Sequence, residues 1–195
     1  HTGDLAQTPT AVTYARYLDY MQTLGIPFFH VPGNHDDPAH FPFHASSPQD
    51  ISIVAMGQWH LVLLNSAVVG KVDGWISDHQ LMQLQQHLQQ HPNVSMILAC
   101  HHHPFEMQSK WIDQHKLKNT ATLLDVIHAH PQVKAVLCGH VHQESSHRWE
   151  HVEFLSSPST SVQFKPRSDD FAFDALPSGY RVLKLQANGE FESHI

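Results

Sequence analysis

NVSMILACHHHP, residues 93–104, decides the fold: an apolar run of strand character passes without a break into three histidines and a proline. Apolar residues at successive positions, Met96 to Cys100, read as a strand buried on both faces, the pattern of parallel sheets. The pattern returns in VKAVLCGHVH, residues 133–142, where a second apolar strand runs into Gly139, His140, Val141 and His142. Between the two, Leu123, Leu124 and Ile127 mark a helix from about Thr120 to His130. Strand, helix and strand, each strand ending on polar residues, predict a layered α/β domain. Ligands of open α/β sheets bind beyond the carboxyl ends of the strands.

Working outward, Ser77 caps a helix over Asp78–Gln90 with Gln80 in the capping-box position and Leu81, Leu84 and Leu88 inside. Before it, ISIVAM (51–56) and WHLVLLN (59–65) read as a hairpin about a turn containing Gly57. Further back, Thr10 caps a helix over Ala11–Leu24 that Gly25 stops, and IPFFHV (26–31) reads as a strand leading to Asn34, His35, Asp36 and Asp37. After His142 come short strands and turns: HRWEHVEFL, FAF, YRVLKLQ and a last turn at Asn188 and Gly189. A single domain over residues 1–195 is expected, with no internal repeat.

Composition narrows the function classes. The formal net charge is −7 and no basic run tracks a nucleic-acid backbone, so nucleic acid is not an expected partner. No apolar run approaches the roughly 20 residues that cross a bilayer. A soluble, cytoplasmic protein is expected; oligomerisation is left open. Cys100 and Cys138 are too few for a disulfide framework and read as buried free thiols. Twenty histidines against 11 lysines and arginines are unusual, and neutral imidazole is a common metal ligand.

Four polar clusters fall at predicted strand ends: Asp4, the group 34–37, the triplet His101, His102, His103, and the pair His140 and His142. Carboxylate, carboxamide and imidazole groups collected at one rim suit hard to borderline ions such as manganese and iron, with zinc also suited. The ordered motifs GD, GNHD, a histidine-rich strand end and GHVH make the sequence resemble the calcineurin-like metallophosphoesterase superfamily over nearly its whole length. TGDLAQ from residue 2, PGNHD (32–36), HHHP (101–104), WIDQHKLKN (111–119), LCGHVHQE (137–144) and SPSTSVQFKP (157–166) bring it nearest to bacterial class III cyclic-AMP phosphodiesterases.

The resemblance implies a metallophosphoesterase-type β-sandwich flanked by helices, in α-β-β-α layers. It implies two divalent metal ions, about 3.5 to 4 Å apart, that share a hydroxide and neutralise phosphate oxygens during in-line attack. Asp4 is then expected to bridge the ions. Asn34, His140 and a histidine of the triplet, His101 in preference to His102, would hold the second ion, and His142 the first. His35 is the implied catalytic histidine, protonating the leaving oxygen, with Asp36 orienting its imidazole. Asn34, His35 and His142 are also implied to touch the substrate phosphate, and residues between Trp111 and Asn119, with Ser159, Thr160 and Gln163, to line the nucleotide side. The family's first block, an Asp-x-His ending the first strand, does not occur in the sequence, which opens on HTGDL as though within a strand. The expectation is therefore an N-terminally truncated domain with its first strand missing. One metal site would be complete and one half made, with little activity from this chain alone. Two other readings stand beside hydrolysis of a small cyclic nucleotide: turnover of a glycerophosphodiester or another phosphodiester or monoester, and a histidine-rich metal binder without catalysis.

Overall fold

A computed structural model describes all residues, His1–Ile195. Its central sheet is built on β3 (Ser95–Ala99) and β4 (Val133–Cys138), paired in parallel. β2 (Trp59–Leu63) and β6 (Val152–Ser156) extend it in parallel on either side, and β1 (Ser52–Met56) and β5 (Ser145–Trp149) close the edges as antiparallel hairpin partners. The order is β1-β2-β3-β4-β6-β5. The hairpin turns carry Gly57 at φ 63° and Glu150 at φ 52°, the left-handed geometry that tight β-connections require.

The near-continuous apolar strands are explained by two covered faces. On one, Met96, Leu98, Val136 and Phe154 meet Leu81, Leu84 and Leu88 of α2 (Asp78–Gln90) and Leu123 and Ile127 of α4 (Thr120–His128). On the other, Trp59, Ile97, Ala135 and Leu155 meet Leu183 and Leu185 of β9 (Val182–Leu185) and Phe191 of β10 (Phe191–His194). Beside that ribbon, Phe29 and Val31 pack on Leu63 and Ala99. Outside them lies α1 (Ala11–Thr23), whose Tyr17 makes edge contacts with Phe28 and His30. The layers run helix, sheet, thin β layer, helix. A four-residue helix, α3 (Lys110–Asp113), and a two-residue ribbon, β7 (Gln163–Phe164) with β8 (Phe173–Asp174), complete the elements. No helix is long and apolar enough to cross a membrane.

Two expectations are corrected. Residues 26–31 are extended but form no strand of a named sheet; Val31 N–H donates to the His1 carbonyl at 3.1 Å, and Phe29 and Val31 pack on the sheet through Leu63 and Ala99. Ser77 caps α2 by accepting from Gln80 N–H, yet the Gln80 side chain does not complete a capping box. It grips Asn65 instead, accepting from its N–H at 2.8 Å and donating to its carbonyl at 2.9 Å. The last turn falls at Asn188 and Gly189 as expected, with Gly189 N–H donating to the Gln186 carbonyl at 3.1 Å, and beyond it strand β10, not foreseen, sets Phe191 beside Trp59.

Two buried imidazoles outside the candidate ligand set give the fold a pH dependence. Burial lowers the pKa of both His30 and His87 to about 4. The unfolded chain takes up these protons near pH 6.5, the folded chain only near 4. Their contribution is therefore full above pH 6.5, is lost as pH falls toward 4, and is constant below. Urea unfolding of chelator-treated protein should show a falling midpoint across that window, with a smaller fall in His30→Gln. A midpoint independent of pH from 7 to 4 would contradict it.

Candidate metal centre

The parallel strands bring the sequence clusters to one rim. Leu64 N–H donates to the Ala99 carbonyl, Cys100 N–H to the Leu137 carbonyl and Gly139 N–H to the His101 carbonyl, so the backbones past β2, β3 and β4 stay in register. Gly3 and Gly33 let a fourth segment close in. A Cβ on Gly3 would strike the His101 imidazole, and one on Gly33 would strike the Asp4 side chain and backbone. Asp4, His140 and His142 all have positive φ, at 55°, 66° and 47°. Such left-handed backbone in non-glycine residues is strained and gathers at functional sites.

His101 is the hub. Its Nδ1 lies 2.6 Å from the Thr2 carbonyl, which can only accept, so this nitrogen carries the proton. The opposite nitrogen, Nε2, then offers a lone pair. It faces Asn34 Oδ1 at 3.1 Å, His140 Nδ1 at 3.1 Å and Asp4 Oδ2 at 3.3 Å. Burial disfavours charge on His101, but the Asp4 charge outweighs it and raises the imidazole pKa above its ordinary value. Asp4 answers in kind: burial would raise its pKa, yet His101 and the His35 N–H hold it at about 2. The His140 ring is buried and its Nε2 has no partner; burial, then neighbouring imidazoles, push its pKa well down.

Acceptor atoms thus converge on His101 Nε2, and the raised His101 pKa marks a place that favours positive charge. A divalent cation supplies that charge, and carboxylate, carboxamide and two imidazoles are donors that such ions accept. The residues fit a metal. His102 lies within the same cluster of potential ligand atoms but has no free nitrogen. Its Nδ1 accepts from the Ser66 hydroxyl at 2.8 Å and its Nε2–H donates to the Val72 carbonyl at 3.1 Å. Ser66 Oγ also accepts the N–H groups of His101 and His102, at 3.2 Å each, and so fixes the turn that aims His101 inward.

His142 stands apart from the His101 and His140 rings. Its Nδ1–H donates to the Val162 carbonyl at 2.8 Å and its ring stacks on Phe164 at 4.0 Å and 4°, leaving Nε2 as the available atom. His35 is exposed, and its backbone N–H donates to Asp4 Oδ1 at 3.0 Å. Its ring does not rest on Asp36, which corrects the expected pairing. Gln7 Nε2 donates to His35 Nδ1 at 3.3 Å, so the neutral ring keeps its proton on Nε2. The Asp36 carboxylate turns inward and accepts from Tyr14 Oη at 2.9 Å, Gly33 N–H at 2.9 Å and Leu5 N–H at 3.2 Å. Burial raises its pKa despite these bonds. Its place is to tie the loop of Asn34 to the segment of Asp4. Ser66 and Tyr14 had no motif to mark them, and Gln7 lay in TGDLAQ without an assigned role.

The region after the histidine triplet is also more ordered than a polar loop. Asp113 accepts from Met107 N–H at 2.7 Å and Ser109 N–H at 3.0 Å, and lies 3.6 Å from the buried His103 ring. Gln163 braces its own loop through Ser159 and Pro177. Beside His103 a cleft of about 360 Å³ opens between Phe105, Met107, Gln143, His147 and Arg167. Of those five only Gln143 lies in a motif of the sequence, LCGHVHQE, and it had no assigned role there.

A layered sheet whose strand ends gather an acceptor-rich, metal-fitting rim defines the metal-dependent hydrolase class of α/β folds. Residues 1–144 match the model of the calcineurin-like phosphoesterase family, and the chain belongs to that family, whose members use divalent metals. It is 40% identical over 197 residues to the 3',5'-cyclic adenosine monophosphate phosphodiesterase CpdA of Vibrio vulnificus (strain CMCP6), spanning all of this chain and 72% of that protein. The protein of the same name from Escherichia coli (strain K12) is 38% identical over the whole chain and 72% of its own length. A 3',5'-cyclic-nucleotide phosphodiesterase of Nostoc sp. is 37% identical over the whole chain and 74% of its own length. Among solved structures, a dimetal phosphatase from Danio rerio superposes with a TM-score of 0.60 at 14% identity, over 88% of this chain and 73% of that one. A purple acid phosphatase from yellow lupin gives 0.59 at 10% identity, over 92% and 38%. Both speak for the fold.

Proposed function

We propose that the site hydrolyses a 3',5'-cyclic nucleotide, cyclic AMP in the first place, to the nucleoside 5'-monophosphate, slowly in this chain by itself, since these residues supply one full ligand set and half of a second. The observation that carries this reading is the convergence of Asp4, Asn34 and His140 on His101 Nε2, within 3.3 Å. It occurs in a chain 40% identical throughout to a named cyclic-AMP phosphodiesterase. Asp4, Asn34, His101 and His140 would hold one ion; Asp4 and the free Nε2 of His142 would face the other. Iron or manganese suits this oxygen and nitrogen set best, with zinc third. Bound divalent ions supply an activated water and neutralise phosphate oxygens.

The remaining steps fall to the chain. Asn34, His35 and His142 line the approach and orient the cyclic phosphate for in-line attack at phosphorus. The 3' oxygen then leaves, and the Nε2 proton of His35, kept there by Gln7, passes to it. A strongly acidic protein can still bind this anion, because bound ions set the local field. The cleft beside His103 has room and stacking surface for the nucleoside, with Phe105 and His147 already stacked at 4.0 Å. The buried thiols of Cys100 and Cys138 suit a reducing cytoplasmic compartment. The whole chain reads as one domain.

His35→Ala should lower kcat on cyclic AMP about 100-fold, within the range for loss of a general acid, with metal content unchanged. Steady-state kinetics with metal analysis checks this; unchanged kcat removes His35 from the mechanism. Failure on cyclic AMP alongside turnover of a glycerophosphodiester or a monoester would move the substrate elsewhere within the family.

A further inference from the structure

A second histidine cluster lies at the opposite rim of the sheet. His60 stands at the start of β2, and His87 and His91 fall one helical turn apart at the end of α2. Six residues of extended chain, roughly 20 Å, separate His60 from Ser66 at the candidate metal centre. The three rings have centroids 5.1, 5.1 and 4.3 Å apart, and one ring nitrogen of each lies within 4.8 Å of the others. His87 is buried; His60 and His91 are half-exposed, leaving an approach from solvent.

We infer that His60, His87 and His91 form a separate binding site for a divalent transition-metal ion, zinc, nickel or copper in class. Three imidazoles are a ligand set these ions favour, and a half-open face leaves a fourth position for water. Tetrahedral zinc at about 2.0–2.1 Å from each nitrogen wants those nitrogens about 3.3–3.4 Å apart. His60 Nδ1 and His87 Nε2 are already 3.0 Å apart, so the site closes by small side-chain rotations. His91 Nδ1 donates to the His87 carbonyl at 3.0 Å, which fixes that ring and leaves its Nε2 as a lone pair. The place suits a cation further: His87 and His91 sit at the carboxyl end of α2, where the helix presents partial negative charge. Spacing of i and i+4 puts both on one helix face, toward β2. An ion there clips the end of α2 to the sheet.

The test uses zinc alone on chelator-treated protein carrying Asn34→Ala and His140→Ala, which disable the other centre. Calorimetric titration should find one equivalent bound, and the unfolding temperature should rise with zinc. Adding His91→Gln, or in a separate protein His60→Gln, should weaken binding at least tenfold and abolish that rise; circular dichroism checks that each variant is folded. Cobalt in place of zinc should give a tetrahedral visible spectrum that both variants lose. Absence of bound zinc in the doubly disabled protein would overturn the site, as would affinity untouched by both glutamine variants.

Discussion

Replacing His101 with alanine lowers kcat/KM of the intact protein on its cyclic nucleotide by on the order of 10³-fold or more, about 4 kcal/mol of transition-state stabilisation. His101 Nε2 is the atom on which Asn34, His140 and Asp4 all converge. Its removal leaves the Asp4 carboxylate, held at about 2 by that imidazole, without its nearest counter-group. Metal content should fall with activity, read by atomic absorption on the purified variant. His102→Asn separates ligand from scaffold: with both ring nitrogens already engaged by Ser66 and Val72, it should reduce stability more than metal content. Loss of metal in His102→Asn with retention in His101→Ala would reverse the assignment.

Leu98→Ala should destabilise the fold by about 3 kcal/mol, the middle of the range for a buried leucine that leaves a cavity. Leu98 has no exposed surface and belongs to the cluster that joins α2 and α4 to the sheet. In a chain of this size each kcal/mol shifts the melting temperature by roughly 2–4 °C, which calorimetry resolves. Val69, 80% exposed, is the control, and its alanine variant should stay within about 0.5 kcal/mol of the parent. Equal shifts for the two would contradict the assigned core. Leu98 also bears on function, since Ala99 and His101 carry the strand-end bonds that align the rim with Leu64 and Gly139.

The central strands and the helices were legible because burial writes itself into sequence. Met96 to Cys100 alternate between two covered faces and so are apolar throughout. Thr10 and Ser77 announce α1 and α2 by side chains that cap as expected. Residues 26–31 misled for the opposite reason: apolar β-formers specify an extended chain, and here Phe29 and Val31 bury themselves by packing on Leu63 and Ala99 rather than by pairing in the sheet. Strand β10 went unread because its exposed residues alternate with few apolar ones.

At the site, the residues carried by motif, Asp4, Asn34, His101 and His140, meet in space. The partners that aim them do not announce themselves. Gln7 reaches His35 from a distant position, and Ser66 reaches the histidine triplet from the end of β2. Asp36 shows the limit of motif reasoning. The resemblance implied that Asp36 orients His35, but the turn points the carboxylate inward, where Tyr14 and two backbone N–H groups donate to it.

The most direct test is turnover of 3',5'-cyclic AMP in ¹⁸O-labelled water by the intact, manganese-loaded protein, followed by chromatography and mass spectrometry. The expected product is 5'-AMP with one ¹⁸O in its phosphate and none in the ribose; formation should stop on chelation and return with the metal. Absence of turnover under those conditions, or a product that is 3'-AMP, would contradict the account.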